Sequence, residues 1–292
     1  MEEHEELAAR FEEHRAQLRA VAYRMLGSLG EADDAVQEAW LRLSRTDVRE
    51  VESMAAWLRT VVSRVCLDML RSRKSRREDL GAPVESFESF EDGPGPEEEV
   101  VMADSVGRAL LVVLDALGPD ERVAFVLHDL FAVPFDRIAP IVDRSPVTTK
   151  KLASRARARV RGTSSIPAAD LAQHRLVIDA FLAASRGGDL TALLEVLAPD
   201  VVRRADPAAL PPGRSTIARG SRVVAEETVG FGRRSRFAET ALVNGSVGVV
   251  VAPAGRLALA LTVTVEGNRI TAYEVIASPE RLRDLDIAVL PD

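Results

Sequence analysis

The spacing of apolar residues changes once along this chain, near residue 200, and that change limits the folds open to it. Before this point apolar side chains recur at the helical period of three or four residues. The first such set is Leu7, Phe11, Leu18, Val21 and Met25. Beyond Asp200 the pattern becomes alternating or continuous runs of Val, Leu and Thr, interrupted by the hairpin signals Asn244-Gly245 and Gly267-Asn268. Helices followed by strands predict an all-α part and then a separate α+β domain.

The spacing also delimits individual helices. The first covers about residues 3–26, and the second carries an apolar stripe over residues 32–43. Ser53 is a suitable N-cap for a third helix, which ends in a basic cluster. Helical patterns resume near residue 100, after an acidic segment rich in Pro and Gly, and two more start from residue 171.

Composition places the chain in a broad class. Its 292 residues, 47% of them hydrophobic, are enough for about two domains with buried cores. The single cysteine, Cys66, allows no internal disulfide and fits a reducing compartment. The acidic N-terminus lacks the apolar core of a signal peptide, and the apolar run 247–265 is broken by Pro253, Gly255 and Arg256. We therefore expect a soluble, cytoplasmic protein with no membrane segment.

Charge is distributed in blocks, although the formal net charge is only −7. The segment 64–77 holds six basic residues against one acid, Asp68, and the segment 145–162 holds six basic residues and no acid. Between them, residues 85–99 hold seven acids and no base. Two basic blocks joined by an acidic link predict two nucleic-acid-facing modules on a flexible tether. The acids could also mask the basic helices at low salt, although a linker that is simply kept solvated is the alternative.

The second basic block has the pattern of a helix-turn-helix. A first helix over 135–142 would bury Ile138 and Ile141, Asp143-Arg144 would form the turn, and Ser145 would cap the second helix. Projection of that helix places Val147, Lys150, Ser154, Arg157 and Arg161 on one face, with Lys151 at its edge. The alternative is an ordinary solvated helix. The capped start, the short turn and the absence of acids favour a recognition helix that binds DNA.

These segments resemble the extracytoplasmic-function (ECF) sigma factors of the sigma-70 family. The stretch EADDAVQEAWLRL is similar to their region 2.2, AWLRTVVSRVCLDMLRSRKSRR to regions 2.3 and 2.4, and FVLHDLFAVPFDRIAPIVDRSPVTTKKLASRARARV to region 4. The resemblance covers about residues 5–162 in the family's order. It implies region 2 at 1–78, an acidic flexible linker at 79–103 and a region 4 helix-turn-helix at 104–163.

The resemblance also implies partners and site residues. The polymerase-binding set, which would dock on the β′ coiled coil of RNA polymerase core, is Asp33, Asp34, Gln37 and Glu38. The set for the downstream promoter box, beside the loop 46–52, is Arg59, Arg64, Arg71, Arg73, Lys74, Arg76 and Arg77. The set for the upstream box is Val147, Thr148, Lys150, Lys151, Ser154, Arg155 and Arg157. The β flap of the polymerase and promoter DNA complete the implied partners.

Residues 168–286 resemble the SnoaL-like (NTF2-like) domain that is fused to the SigJ-like subgroup of these factors. Its cone-shaped fold implies a small-molecule ligand and a role in modulating the sigma domains in cis. The subgroup's Asn-Pro-x-Lys-Leu stretch corresponds here to a regulatory set with two substitutions, namely Ser278, Pro279, Glu280, Arg281 and Leu282. The linker also lacks the Trp-containing segment that is usual in the subgroup.

Catalysis in this domain would need a general base that faces a pocket. The candidates are His174, Asp206, Tyr273 and Glu274, and no paired-carboxylate or Ser/His/Asp constellation can be assembled from the sequence. All four histidines of the chain are isolated, so no metal site or cofactor is expected. We expect a protein that is not an enzyme.

Three hypotheses follow. In the first, the chain is a sigma factor that directs RNA polymerase core to promoters. In the second, it is a ligand-responsive helix-turn-helix regulator that works without binding the polymerase, and that would need neither the acids of the second helix nor the basic cluster 71–77. In the third, it is a SnoaL-like enzyme that carries a DNA-binding module.

Overall fold

The computed structural model describes residues 2–46, 53–80, 106–230 and 235–291. The chain forms two compact units, one made of residues 1–83 and 114–158 and the other of residues 84–113 and 159–292. The predicted loop at 47–52 and all but the first two residues of the predicted linker lie outside the described residues.

The first unit is helical, as predicted. Its three N-terminal helices pack on one another, and four more helices lie in residues 108–161. Residues 108–113 of α4 and the last three residues of α7 belong to the second unit. The helices are α1 (Glu2–Leu26), α2 (Leu29–Leu43), α3 (Met54–Leu80), α4 (Arg108–Asp115), α5 (Pro119–Phe125), α6 (Phe135–Val142) and α7 (Pro146–Arg161). A π-helical turn, Val126–Leu130, continues α5.

Local sequence signals explain where several of these helices begin. The hydroxyl of Ser28 accepts a hydrogen bond from the backbone N–H of Glu31 and caps α2. Ser53 caps α3 as predicted, because its hydroxyl accepts from the N–H of Ala56 at 3.4 Å. The predicted apolar stripe of α2 is buried apart from Trp40, which is half-buried against the ring of Phe11.

The helix-turn-helix has the predicted bounds. Ile138 and Ile141 of α6 are buried, and Asp143 adopts a left-handed conformation, with φ 54°, in the turn. Ser145 then caps α7, since its hydroxyl accepts from the N–H of Thr148 at 3.2 Å. Pro146 occupies the first helical position, where its missing N–H costs no hydrogen bond.

The second unit contains a mainly antiparallel sheet covered by helices. Its helices are α8 (Ala168–Gly187), α9 (Leu190–Val196), α10 (Ser221–Gly230) and α11 (Pro279–Arg283). Its strands are β1 (Leu197–Ala205), β2 (Ile217–Arg219), β3 (Ala238–Val243), β4 (Ser246–Val251), β5 (Leu259–Glu266), β6 (Arg269–Ile276) and β7 (Ile287–Ala288). The sheet order is β2-β1-β6-β5-β4-β3-β7, and only the β1–β6 pair is parallel among the described strands.

Both predicted hairpins are present. Asn244 and Gly245 have φ values of 52° and 79° in the two-residue turn between β3 and β4, the pattern of a type I′ turn. Gly267, with φ 58°, opens the turn between β5 and β6. These turns fix the register in which the buried faces of β3 to β6 line up.

Two helices beyond residue 200, α10 and the short α11, were not predicted. The segment from Ser221 to Gly230 lies in the part of the chain assigned to strands, but it forms α10 and buries Val224, Ala225 and Thr228. Its Val and Thr content resembles that of a strand, whereas the three buried residues follow a helical spacing. Tertiary packing therefore overrides the local β-propensity.

Two further expectations can be compared with the described residues. Cys66 is buried, and burial raises the pKa of its thiol to about 12, which fits a packing role. Among the described helices, none combines the length and apolar character needed to cross a membrane.

Candidate nucleic-acid interface

The recognition helix α7 presents a basic face. Val147, Lys150, Lys151, Ser154 and Arg155 are exposed there, and the hydroxyl of Thr148 faces the cap at Ser145. The opposite face buries Thr149, Ala153 and Ala156. The exposed residues of the first turns are those that can reach base edges when such a helix enters the major groove.

Arg157 differs from the other basic residues of this face. Its guanidinium makes a bidentate ion pair with Asp129, with Nε–Oδ1 and Nη2–Oδ2 distances of 2.6 and 3.0 Å. The hydrogen bond from Asp129 raises the pKa of Arg157 above its usual value. Asp129 belongs to the π-helical turn, in which His128 also stacks on Phe135 at 4.0 Å. In this structure Arg157 therefore ties α7 to the preceding helices.

Three arginines predicted for the downstream box contact the helices of the same unit. Arg64 donates to the backbone oxygen of Pro140 at 3.2 Å, and Arg71 pairs with Asp120 at 2.9 Å. Arg73 pairs with Glu31 and lies 3.9 Å from Asp115. Arg59 is half-buried, Lys74 and Arg76 are exposed, and the side chain of Arg77 lies outside the described residues.

Asp120 connects the two parts of the first unit. Besides Arg71 it binds Arg144, in the turn before the recognition helix, at 3.4 Å. Asp115 makes a second connection, because it pairs with the buried Arg122 at 3.3 Å and lies beside Arg73. Carboxylates thus occupy positions on these arginines that DNA phosphates could take.

The acids predicted to bind the polymerase share the outer side of α2, but they are not equivalent. Asp33 pairs with Arg19 at 2.7 Å, and Glu38 pairs with Arg42 at 2.9 Å. Asp34 and Gln37 are exposed. The latter two offer the most accessible acceptors of the set.

The predicted regulatory set forms a clasp at the end of β6. Ser278 precedes α11, and Arg281 donates to Asp206 at 2.5 Å and to Glu274 at 3.0 Å. Asp206 also accepts from the backbone N–H groups of Ala277 and Ser278, at 3.0 and 2.9 Å. Burial acts to raise the pKa of Asp206, but these N–H groups and Arg281 outweigh it and hold the pKa below its usual value.

The C-terminal domain also contains a cavity. The empty space in it and at its mouth is about 690 Å³, and its walls come from the inner face of the sheet and from α8 and α10. Of the four bases considered from the sequence, Tyr273 alone is among its lining residues; His174, Asp206 and Glu274 are not. The cavity also contains a buried ion pair between Arg203 and Glu227 that sequence reasoning missed.

A second missed residue is Glu239, on β3. Its carboxylate accepts hydrogen bonds from the N–H groups of Arg108 and Ala109, the first residues of α4. No local signal marks Glu239 or Asp120, because each partner is distant in sequence. The position of Arg203 could have been inferred from the sequence. It alternates with Val201 and Ala205 along β1, so it shares the buried face of that strand.

A capped helix-turn-helix with an exposed basic face defines a DNA-binding protein. Residues 10–76 match the family description "Sigma-70 region 2", and residues 107–160 match "Sigma-70, region 4". The "Probable ECF RNA polymerase sigma factor SigI" of Mycobacterium tuberculosis is 35% identical over 98% of this chain and 98% of its own length. SigJ of the same species, also an ECF RNA polymerase sigma factor, is 37% identical over 93% of this chain and 91% of its own length.

The chain therefore belongs to the family of ECF RNA polymerase sigma factors. A crystal structure of the M. tuberculosis SigJ protein covers 94% of this chain and 98% of its own length, with 32% identity and a TM-score of 0.45. The predicted fold class is confirmed in its two all-α sigma regions followed by an α+β domain. Matches to both sigma regions argue against a regulator that works without the polymerase.

Proposed function

We propose that this chain binds RNA polymerase core and directs it to promoters, and that its C-terminal domain modulates this activity in cis. The observation that carries the proposal is the presence, in family order, of both sigma regions, with Asp34 and Gln37 exposed on α2 and a basic face exposed on α7. The work would be done in the cytoplasm, by binding rather than by catalysis.

Polymerase binding is assigned to the exposed side of α2. Asp34 and Gln37 would accept hydrogen bonds from the β′ coiled coil, while Asp33 and Glu38 are held in place by Arg19 and Arg42. This arrangement lets one helix keep a fixed orientation and still offer acceptors to a partner. The β flap would be contacted by the region 4 part of the chain.

Recognition of the upstream box is assigned to α7. Val147 and Thr148, at the start of the helix, would face base edges, and Lys150, Lys151 and Arg155 would neutralise phosphates. Arg157 would reach DNA only after leaving Asp129, so its role is better described as positioning α7.

Recognition of the downstream box requires a rearrangement within the first unit. Arg71 and Arg73 are paired with carboxylates, and Arg64 with a backbone carbonyl. We infer that Asp120 and Asp115 mask this basic surface until the polymerase and the promoter compete for it. The acids of residues 85–99, predicted as a mask from the sequence, lie outside the described residues.

The cis role of the C-terminal domain is supported by its hold on α4. Region 4 begins at residue 107, and the first turn of α4 receives its cap from Glu239 of the sheet. Leu111, one turn further on, packs closely against Gly255. A Cβ atom added at Gly255 would lie 2.7 Å from the Cβ of Leu111. A change in this domain can therefore alter the position of the helix that opens region 4.

A pull-down of purified core polymerase tests the assignment of α2. Replacing Asp34 with Lys should reduce retention of core at least about tenfold, as expected for reversing a charge in an interface. Glu13→Lys is the matched control, because Glu13 is an exposed acid on the neighbouring α1. Equal retention of both variants would refute the assignment.

A further inference from the structure

The cavity of the C-terminal domain has one continuous apolar wall. Val249 and Val251 of β4 lie opposite Leu261 and Leu259 of β5, and Leu261 lies opposite Val275 of β6. All five side chains line the cavity because residues two apart on a strand share a face. Phe181 and Leu182 of α8 close the other side.

The polar groups of the cavity gather at one end. Arg203 of β1 and Tyr273 of β6 are direct neighbours in the parallel β1–β6 pair, so both side chains leave the same face of the sheet. Arg203 is only 3% exposed, and it donates to Glu227 of α10 and to the backbone oxygen of Ser215, the latter at 3.1 Å. The pair Arg203–Glu227 is therefore already neutral as a unit.

The proton of Tyr273 can be located from its neighbours. Thr228 donates its single hydroxyl proton to the backbone oxygen of Val224 at 2.8 Å. The 3.2 Å contact between the hydroxyls of Thr228 and Tyr273 must then be donated by Tyr273. The Tyr273 oxygen keeps its lone pairs, and it can accept a hydrogen bond.

This end of the cavity therefore offers hydrogen-bond acceptors. The Tyr273 proton is given to Thr228, and two of the five N–H groups of Arg203 are given to Glu227 and Ser215. The Tyr273 oxygen and the Glu227 carboxylate retain lone pairs that a ligand could use. An anionic ligand would meet the charge of Glu227, whereas a neutral donor would meet complementary groups.

We propose that the cavity binds an uncharged, mainly hydrocarbon ligand that carries one hydroxyl group, which donates a hydrogen bond to the oxygen of Tyr273. The class rests on three features together: an apolar wall, a neutralised ion pair and acceptors at one end. A regulatory effect of this ligand rests on the cis role of the C-terminal domain proposed above. Binding of the ligand to the cavity does not depend on that proposal.

The test uses the full-length chain and three probes that share one ring system, namely naphthalene, 2-naphthol and 2-naphthoate. Calorimetry gives the affinities, and methyl NMR locates the bound probe. We expect 2-naphthol to bind about three- to tenfold more tightly than naphthalene, as one net hydrogen bond provides. We expect 2-naphthoate to bind at least about tenfold more weakly than 2-naphthol, because its carboxylate lies beside Glu227.

A variant pair assigns the hydrogen bond. Tyr273→Phe should bring the affinity for 2-naphthol down to that for naphthalene and leave naphthalene binding unchanged. The chain has one other tyrosine, Tyr23, which is buried in the first unit, so Tyr23→Phe is the matched control and should change neither affinity. The methyl shifts should be confined to the cavity wall, at Val249, Leu259 and Leu261.

Each result of these experiments either supports or overturns the proposed ligand class, hydrogen bond or site. Tighter binding of 2-naphthoate would show that Arg203 leaves Glu227 to take an anion, and it would overturn the neutral class. Equal affinities for naphthol and naphthalene, or methyl shifts elsewhere, would overturn the assigned hydrogen bond or site. Failure of all three probes to bind would overturn the site. Failure of the sigma-factor proposal appears instead as loss of polymerase binding, which none of these measurements uses.

Discussion

The carboxylate of Glu239 accepts a hydrogen bond from the backbone N–H of Arg108 at 2.5 Å, although 131 residues separate them. The first N–H groups of a helix have no partner inside the helix, and an acid at that end also interacts favourably with the helix dipole. Glu239 therefore supplies an N-terminal cap to α4, whose preceding residue, Gly107, has no side chain. The contact joins the first turn of region 4 to the sheet.

Removing this cap should loosen the start of α4. We expect Glu239→Ala to cost about 1 kcal/mol, the usual value for a lost N-cap, and thus to speed hydrogen exchange of the Ala109 and Leu111 amides about fivefold. Exchange followed by mass spectrometry or NMR measures this. Glu226→Ala, which removes a carboxylate from an exposed pair with Arg222, should leave those amides unchanged. Equal exchange in both variants would show that Glu239 does not hold the helix.

Neutralising Asp120 should unmask a basic surface. In Asp120→Asn the side chains of Arg71 and Arg144 lose their carboxylate partner, so affinity for DNA should rise about two- to fivefold at low salt. The gain should shrink as salt screens the charges. Fluorescence anisotropy with labelled duplex DNA gives both values. Asp136→Asn, at an exposed position on α6, is the control. Identical affinities at low salt would remove Asp120 as a mask.

The clasp around Asp206 should make stability depend on pH in one direction. Its folded-state pKa is lowered, so its contribution is fully present above the ordinary value of about 3.9 and is lost as the pH falls through the folded pKa. Asp206→Asn should lower the free energy of unfolding by about 2 kcal/mol at neutral pH, and the difference should narrow below about pH 4. Urea unfolding followed by circular dichroism measures it. Asp200→Asn, at an exposed position, should show no such loss.

The phenol of Tyr273 should lose its proton at a higher pH than free tyrosine does. Burial raises its pKa to about 12, against an ordinary value of about 10, so it stabilises the fold below pH 10 and ceases to do so as the pH rises through 12. In Tyr23→Phe, Tyr273 is the remaining phenol, and its phenolate absorbance should appear about 2 pH units above that of free tyrosine. Absorbance at the free-tyrosine pKa, with the fold intact, would contradict the buried position.

Local patterns predicted much of this molecule. The helix-turn-helix bounds, the caps at Ser53 and Ser145 and both hairpin turns follow from residues within a few positions of one another. The α10 helix was missed because its Val-rich sequence suits a strand equally well. Its helical form depends on the sheet against which it packs.

The ion pairs at the candidate sites could not be predicted from local sequence patterns. Arg157 was expected to face DNA, but Asp129, 28 residues earlier, holds it because the π-helical turn places its carboxylate there. Asp120 meets Arg71 only after two regions of the chain have packed into one unit. The charge blocks predict which surfaces bind DNA, whereas the ion-pair partners of individual arginines depend on tertiary structure.

Whether this chain directs RNA polymerase core to promoters can be measured by transcription from a library of random promoter sequences. The reaction contains purified core polymerase, with or without the full-length chain. Sequencing of the transcript starts identifies the active members. We expect transcripts that depend on the chain and whose templates share two sequence boxes at a fixed spacing. These transcripts should be lost with Asp34→Lys but not with Glu13→Lys. Transcripts that are the same without the chain, or that share no upstream sequence, would contradict it.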